Sequence, residues 1–187
     1  GRIDLYSTAM LEQGQPPLPT YVPLPTPSSP GTLALLSGAA HHYVSSSMAN
    51  LPTLQRREGT PFVEINPQDA TARGIADGQQ VVLENDVGSC LLRAVVTDDV
   101  PPGVLVSPKG NWARNAPGGR NVNWLMSDDV ADLAGQSTYH SARVRVRHAT
   151  DADNANAIAW PFSIEAGDGD VAQASERSTR SHQAGTP

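Results

Sequence analysis

The chain has 187 residues, 39% of them hydrophobic, with 16 glycines, 16 prolines and a net charge of −6. This length suits one ordinary domain, and the glycine and proline content favours turns and extended segments over a helical bundle. Residues 1–150 carry 11 basic against 13 acidic side chains, and this near-neutral balance excludes a general nucleic-acid-binding protein, which needs a basic face.

The first thirty residues predict an extended lead-in. The chain starts at Gly1 without a methionine, and no signal peptide is visible, so we expect a piece of a longer protein. Residues 15–30 contain seven prolines, which fix φ and lack an N–H, so this stretch is expected to form neither a helix nor a central strand. Residues 1–31 are therefore predicted to be a proline-rich strap.

Six short strands are predicted after this strap. The apolar or alternating runs lie at residues 32–36, 62–65, 80–84, 90–97, 104–106 and 143–147. Between the second and third runs, Pro67 predicts the first residue of a short helix through Arg73, with Asn66 as its N-cap and Gly74 ending it. Six short strands bury little as a flat sheet, so we predict a mainly β fold closed into a barrel over residues 32–148.

Two long polar loops, 37–60 and 108–137, are the expected places for chemistry, because long loops in compact domains are usually functional or disordered. The second is expected to hold one helical turn near residues 128–133. Residues 149–187 are polar and acidic and predict a mobile tail, with residues 159–162 docking locally on the barrel.

The single cysteine, Cys90, excludes an internal disulfide framework and any cysteine-rich metal site. Its position in an apolar run predicts a buried strand residue. No apolar run approaches the roughly 20 residues of a membrane span.

Four segments, in order and spacing, resemble the C-terminal domain of the dimethyl-sulfoxide-reductase family of molybdopterin oxidoreductases. They read SGAAHHYVSSSMANLP (37–52), VEINPQDA (63–70), RGIADG (73–78) and GRNVNWLMSD (119–128). Each motif alone is weak, since Asp-Gly turns and Asn-Pro helix starts occur widely, but jointly they are specific. The likeness covers roughly residues 1–147.

The resemblance implies a double-psi β-barrel that closes over a molybdopterin guanine dinucleotide carrying molybdenum or tungsten. Catalysis and the metal ligand are then expected in upstream domains of the same enzyme, where an Fe–S cluster is also possible. The implied partners are those domains and an electron-transfer subunit, with no nucleic acid. We expect a cytoplasmic location, and a periplasmic one stays open because the N-terminus is absent.

The first loop supplies candidate contacts for such a ligand, which needs hydroxyl, amide and backbone N–H donors. Ser45 and Ser46 offer hydroxyls in one turn, although the family often has Asn where this chain has Ser45. Ser37 and Gly38, at the end of the first strand, suit close backbone approach to phosphate. His41 and His42 are expected to contact the pterin or stack on the ligand. The alternatives are a surface or core role and a metal pair, but no third ligand has metal-like spacing.

The remaining candidates lie beyond the first loop. Asp69 is assigned to the guanine by resemblance, because a carboxylate accepts two hydrogen bonds from the base; the alternative is an acid in the first turn of a helix. Asn66 is predicted mainly as the N-cap of the helix and only secondarily as a contact for the ligand. By resemblance, Asn123 contacts the pterin, Asn121 shapes the same loop with Gly118 and Gly119, and His140 touches the pterin near the last strand.

Alternative functions predict different features of the sequence. Trp112 is expected either to line a substrate funnel or to pack as a core aromatic. A non-catalytic double-psi barrel that recognises protein or peptide is the main alternative, and it predicts exposed apolar grooves in place of polar loops. A processed decarboxylase lacks its Gly-Ser cleavage dipeptide, and a Ser/His hydrolase lacks a nucleophile-elbow pattern.

Overall fold

The computed structural model describes residues 3, 5–21, 29–131 and 135–155. Six strands form a closed barrel in the order β1-β5-β2-β4-β3-β6, which confirms the predicted barrel and its strand number. The strands are β1 Leu33–Leu36, β2 Phe62–Ile65, β3 Gln80–Glu84, β4 Ser89–Val96, β5 Val104–Val106 and β6 Arg143–His148. Each lies within one or two residues of its predicted position.

Two of the barrel's neighbouring strand pairs are parallel, namely β1 with β5 and β2 with β4. In the first pair Ala34 lies opposite Val104 and Leu36 opposite Val106. Because parallel strands end at the same edge, the segments that follow β1 and β5 leave the barrel side by side. Pairing continues past both strands, with Lys109 N–H donating to the carbonyl of Gly38 over 2.9 Å.

The barrel interior is filled by aliphatic side chains from every strand. Leu35, Leu83 and Leu105 are completely buried, and Val144 of β6 closes the same cluster. Cys90 is buried among them, as predicted, and burial raises the pKa of its thiol to about 12. This is a structural cysteine that stays protonated at physiological pH.

The predicted short helix is present as α3, Pro67–Ala72, following α1, Thr8–Glu12, and α2, Pro52–Glu58. The Asn66 side chain caps α3 by accepting from Gln68 N–H over 2.9 Å, and Gly74 follows with φ 66°. Helices α1, α2 and α4, Asp151–Ala155, were not predicted, so the described residues hold four short helices in place of one or two.

The helical turn expected near residues 128–133 is absent over 128–131, and 132–134 lie outside the described residues. The long loop instead forms short 3₁₀ turns at Ala113–Asn115, Pro117–Gly119 and Val122–Leu125. Further on, Val130 pairs with Ser137 in an antiparallel bridge, which requires extended backbone. That bridge is the physical reason for the missing helical turn.

The two ends of the chain are described in part. Residues 15–21 and 29–31 contain neither helix nor strand, as the prolines predict. Helix α4 is tied to the barrel by Arg147, which bonds Glu84 of β3 and Asp153 of α4. Residues 156–187, with the docking predicted for 159–162, lie outside the described residues. No helix in the described parts is long and apolar enough to span a bilayer.

Candidate functional site

A cavity of about 290 Å³ opens where three loop segments meet, at residues 45–46, 109–112 and 121–123. The first two segments follow β1 and β5, so the parallel pairing of these strands brings them together. The lining is mainly polar and consists of Ser45, Ser46, Lys109, Gly110, Asn111, Trp112, Asn121 and Asn123. Four of these, Ser45, Ser46, Asn121 and Asn123, were predicted site residues.

The first wall is a tight turn in which Val44 and Ser47 exchange backbone hydrogen bonds. Ser45 takes a left-handed φ of 52° to make this turn, a conformation uncommon for a serine. The carbonyl of Ser46 accepts a 2.7 Å hydrogen bond from Trp112 Nε1. Neither serine hydroxyl has a partner within the described chain, so both are free to meet a ligand.

The second wall approaches the first so closely that only glycine fits at its start. Gly110 has φ 112°, and a Cβ added to it would lie 2.3 Å from the carbonyl oxygen of Ser45. Trp112 packs against a small apolar cluster of Ala40, Tyr43 and Ala49. Trp112 thus packs as an aromatic and also lines the cavity, and its predicted role in a substrate funnel remains a prediction.

The third wall is held by the side chain of Asn121. Its amide donates to the carbonyl of Asn111 over 2.5 Å, and its Oδ1 accepts from Asn123 N–H over 3.1 Å. Gly118 and Gly119 both have positive φ and turn the loop into this position. The Asn123 amide itself makes no hydrogen bond with any described residue, so it remains available at the cavity surface.

His41 and His42 lie outside this lining and are organised by Glu58 at the end of α2. The carboxylate, 5% exposed, accepts from both backbone N–H groups over 3.3 and 2.8 Å and contacts His42 Nδ1 at 3.0 Å. Burial, together with the charge of Glu58, raises the pKa of Tyr43 to about 12. In the described residues no three His, Cys, Asp or Glu side chains come together to hold a metal ion.

Ser37 and Gly38 lie at the end of β1, next to the β5 loop. Ser37 is fully buried, and its hydroxyl has no hydrogen-bond partner among the described residues. Gly38 is exposed, with open space around its α carbon. Neither lines the cavity, although Gly38 is bonded through its carbonyl to Lys109, which does.

Asp69 and Asn66 are not brought to the cavity. The Asp69 carboxylate bonds Arg73, four residues on, at 3.0 Å and accepts from Gly103 N–H at 2.6 Å. The Asn66 amide donates to the Val100 carbonyl at 2.8 Å while its oxygen caps α3. Both side chains are therefore used in joining α3 to the turn before β5, and the ligand roles assigned to them remain predictions.

His140 lines a second hollow, of about 460 Å³, formed by Ala131 and residues 136–141. Its ring lies 4.1 Å from the ring of Tyr139. Tyr139 in turn accepts a 2.5 Å hydrogen bond from Lys109 Nζ, so this one contact joins the second hollow to the cavity. The structure thus places His140 beside the site and outside its lining.

Residues 33–143, more than half of the chain, match the family described as "Molydopterin dinucleotide binding domain". The chain belongs to this family. The match runs from the start of β1 to the start of β6 and includes all three walls of the cavity.

Individual relatives agree with this assignment. The domain is 38% identical to the Bacillus subtilis protein named "Probable oxidoreductase YoaE", over 78% of this chain and 21% of that protein. It is 39% identical to biotin sulfoxide reductase of Cereibacter sphaeroides, over 67% of this chain and 18% of that protein. The chain therefore spans about a fifth of the length of these relatives.

A solved structure shows the same fold. Acetylene hydratase from Pelobacter acetylenicus superposes with a TM-score of 0.66 at 22% identity, over 78% of this chain and 23% of that one. At this identity the likeness is one of fold alone.

The cavity suits a molybdopterin dinucleotide in its chemistry. Such a ligand combines heteroaromatic rings with a diphosphate, and the domain offers serine hydroxyls, asparagine amides, a lysine and a tryptophan ring. Its volume is at the lower end for small-molecule sites, which leaves room for only part of a dinucleotide. The polar lining is unlike the exposed apolar groove that the peptide-binding alternative predicts.

The sequence interpretation missed Lys109, Gly110, Asn111 and Glu58. A signal for the first three was present, because Lys109 to Trp112 directly follow the β5 run and open the long loop. A signal for α2, and so for Glu58 at its end, was also present in Pro52 and Gly59, which fit a helix start and stop.

Proposed function

We propose that this domain closes over one side of a molybdopterin guanine dinucleotide within a larger oxidoreductase. The metal ligand and the catalytic residues would then belong to other domains of that enzyme. The observation that carries the proposal is the cavity at the shared end of β1 and β5, where unpartnered hydroxyls and an unpartnered amide face one space. When bound, the cofactor would supply the redox chemistry, and this domain would supply binding and orientation.

Within the cavity, each wall has a distinct part. The hydroxyls of Ser45 and Ser46 and the amide of Asn123 would donate to and accept from the polar edges of the ligand. Trp112 would offer an apolar surface, and the Asn121 bonds would keep the third wall in place. The guanine contact of Asp69 is left out of the proposal, because both its carboxylate oxygens already have protein partners.

The partners follow from the length of the relatives. A domain that spans about a fifth of them would pack against the remaining domains of its own enzyme. An electron-transfer subunit is a further proposed partner. The substrate of the whole enzyme is not specified by this domain.

The experiment replaces Asn123 by alanine in the full-length protein that carries this domain. We expect about a tenfold or greater weakening of cofactor retention, since a buried ligand group would lose its hydrogen-bond partner. Molybdenum and guanine nucleotide released per protein would be measured, because these report binding independently of turnover.

The matched control is Asn154→Ala in α4, which removes an exposed amide outside the cavity lining. It should leave cofactor content unchanged. Wild-type protein without a molybdopterin dinucleotide, or equal retention in both variants, would count against the proposal.

A further inference from the structure

The part of the loop after β5 that lines the cavity carries only positive charge, in a chain that is acidic overall. Residues 109–123 contain Lys109, Arg114 and Arg120 and no Asp or Glu, although the whole chain has 19 acidic against 13 basic residues. This stretch contributes six of the eight residues that line the cavity. One of its three positive charges, Lys109, therefore lies in the cavity lining, and the two arginines lie on the same loop outside that lining.

None of these three cations is neutralised within the described residues, where neither Lys109 nor either arginine has a carboxylate within ion-pair distance. Lys109 is bonded to the neutral hydroxyl of Tyr139 and lies 4.6 Å from the centre of that ring. Arg73 and Arg147, in contrast, are each matched to an acid. An uncompensated positive field at a polar cavity favours an anionic ligand.

The two arginines are arranged on the aromatic residues of the same loop. The Arg114 guanidinium lies 4.3 Å from the Trp112 ring centre, and the Arg120 guanidinium lies 5.2 Å from that of Trp124. A guanidinium held over a ring presents its N–H groups at the edges. One N–H of Arg120 donates to the Ser89 hydroxyl over 3.1 Å. Both side chains are exposed, so their effect on a ligand would act through solvent and be screened by salt.

We propose that Lys109, Arg114 and Arg120 form a cationic wall that binds the diphosphate of the dinucleotide. Lys109 contacts a phosphate oxygen directly, because it alone of the three lines the cavity. The arginines add an attractive field at the edge of the loop. This inference rests on the proposed function, since it names the part of that ligand that lies against this wall.

The test compares Lys109→Gln with Arg145→Gln in the full-length protein that carries the domain. Both variants remove one positive charge, but Arg145 is an exposed residue of β6 outside the cavity lining. We expect Lys109→Gln to release the cofactor roughly tenfold faster, since a charge-assisted hydrogen bond would be lost. Arg145→Gln should match the wild type.

A second measurement titrates the cofactor-free full-length protein with guanosine diphosphate at rising salt. Affinity should fall with salt in the wild type and fall less steeply in Arg114→Gln and Arg120→Gln. Tyr139→Phe removes the hydrogen bond of Lys109 but keeps its charge. If the charge of Lys109 binds the diphosphate, Tyr139→Phe should keep the wild-type affinity for guanosine diphosphate. If Lys109 serves only to hold Tyr139, Tyr139→Phe should weaken that affinity as much as Lys109→Gln does.

The outcomes separate the two proposals. Protein that holds the cofactor, with Lys109→Gln equal to Arg145→Gln in release and in affinity for guanosine diphosphate, overturns the cationic wall and leaves the proposed function standing. Wild-type protein that holds no molybdopterin dinucleotide overturns the function itself.

Discussion

The barrel and the cavity wall are held together by different kinds of interaction. The barrel depends on many interchangeable apolar contacts among fully buried side chains such as Leu35, Leu83 and Leu105. The cavity wall depends on a few specific ones, including the close approach of Gly110 to Ser45 and the bond from Asn121 to Asn111. When one contact in a packed core is lost, neighbouring contacts partly compensate for it. No other interaction replaces a lost contact in the cavity wall.

This difference predicts that changes in the barrel act on stability and changes in the wall act on binding. The same division appears in the polar groups. Asn66 and Asp69 use their side chains to connect α3 to its surroundings, and Asn123 keeps its amide free. Variants that separate stability from cofactor retention therefore test the comparison directly.

The largest effect is expected for Leu83→Ala in the barrel. Leu83 is completely buried in the main core cluster, so truncation should lower the free energy of unfolding by about 2–5 kcal/mol. Urea unfolding of this chain, followed by circular dichroism, would measure it. Val87→Ala, at an exposed apolar position in the turn before β4, is the control and should change stability little. An equal loss of unfolding free energy in Leu83→Ala and Val87→Ala would show that burial in the core does not determine the cost of truncation.

The next effect is expected for Gly110→Ala, where the added methyl group collides with the Ser45 carbonyl at a left-handed φ. The two walls must separate, so we expect a large loss of cofactor retention and a stability loss of about 1–3 kcal/mol. Gly78→Ala is the matched control, because its φ is 76° but a Cβ there meets open space. Both carry the backbone strain, and only Gly110→Ala should release cofactor.

The strands were predictable from the sequence because their signals are local. Alternation in residues 143–147, the Asp77-Gly78 turn and the Asn66-Pro67 helix start each depend on a few neighbouring residues. The pairing order was not predictable from such signals. That Lys109 lies beside Gly38 follows from the parallel pairing of β1 with β5, which joins residues some 70 positions apart.

The candidate site divides in the same way. Ser45, Ser46, Asn121 and Asn123 were predicted because their motifs resemble a known family, and the structure brings them to one cavity. Gly110 was missed because its role exists only in contact with a distant loop. Asp69 is a different case, since its ligand role stays a prediction while its local partner Arg73, one helical turn away, was visible in the sequence.

A smaller effect is expected for Glu58→Gln, at the end of α2 and outside both the barrel strands and the cavity lining. The amide keeps one acceptor but presents an N–H₂ group to donors that the carboxylate now satisfies at His41 and His42. We expect a stability loss of about 1–3 kcal/mol, measured by urea unfolding. Glu12→Gln on the exposed face of α1 is the control. An unchanged midpoint would show that the His41–His42 segment is held by other contacts.

The smallest effect concerns Glu64 of β2, on the barrel wall. Burial, reinforced by the charge of Asp99, raises the pKa of Glu64 above its ordinary value of 4.5. The folded chain therefore binds this proton more tightly than the unfolded chain, and the associated stability is present at low pH and lost as pH rises through the raised value.

Glu64→Gln removes that loss of stability. The variant should gain at most about 1 kcal/mol over the wild type at neutral pH, because the carboxyl keeps partial contact with water. The gain should vanish below the ordinary glutamate pKa, and urea midpoints measured from pH 3.5 to 7.5 would show it. A difference that is constant with pH would assign the effect to packing at this barrel position and not to charge.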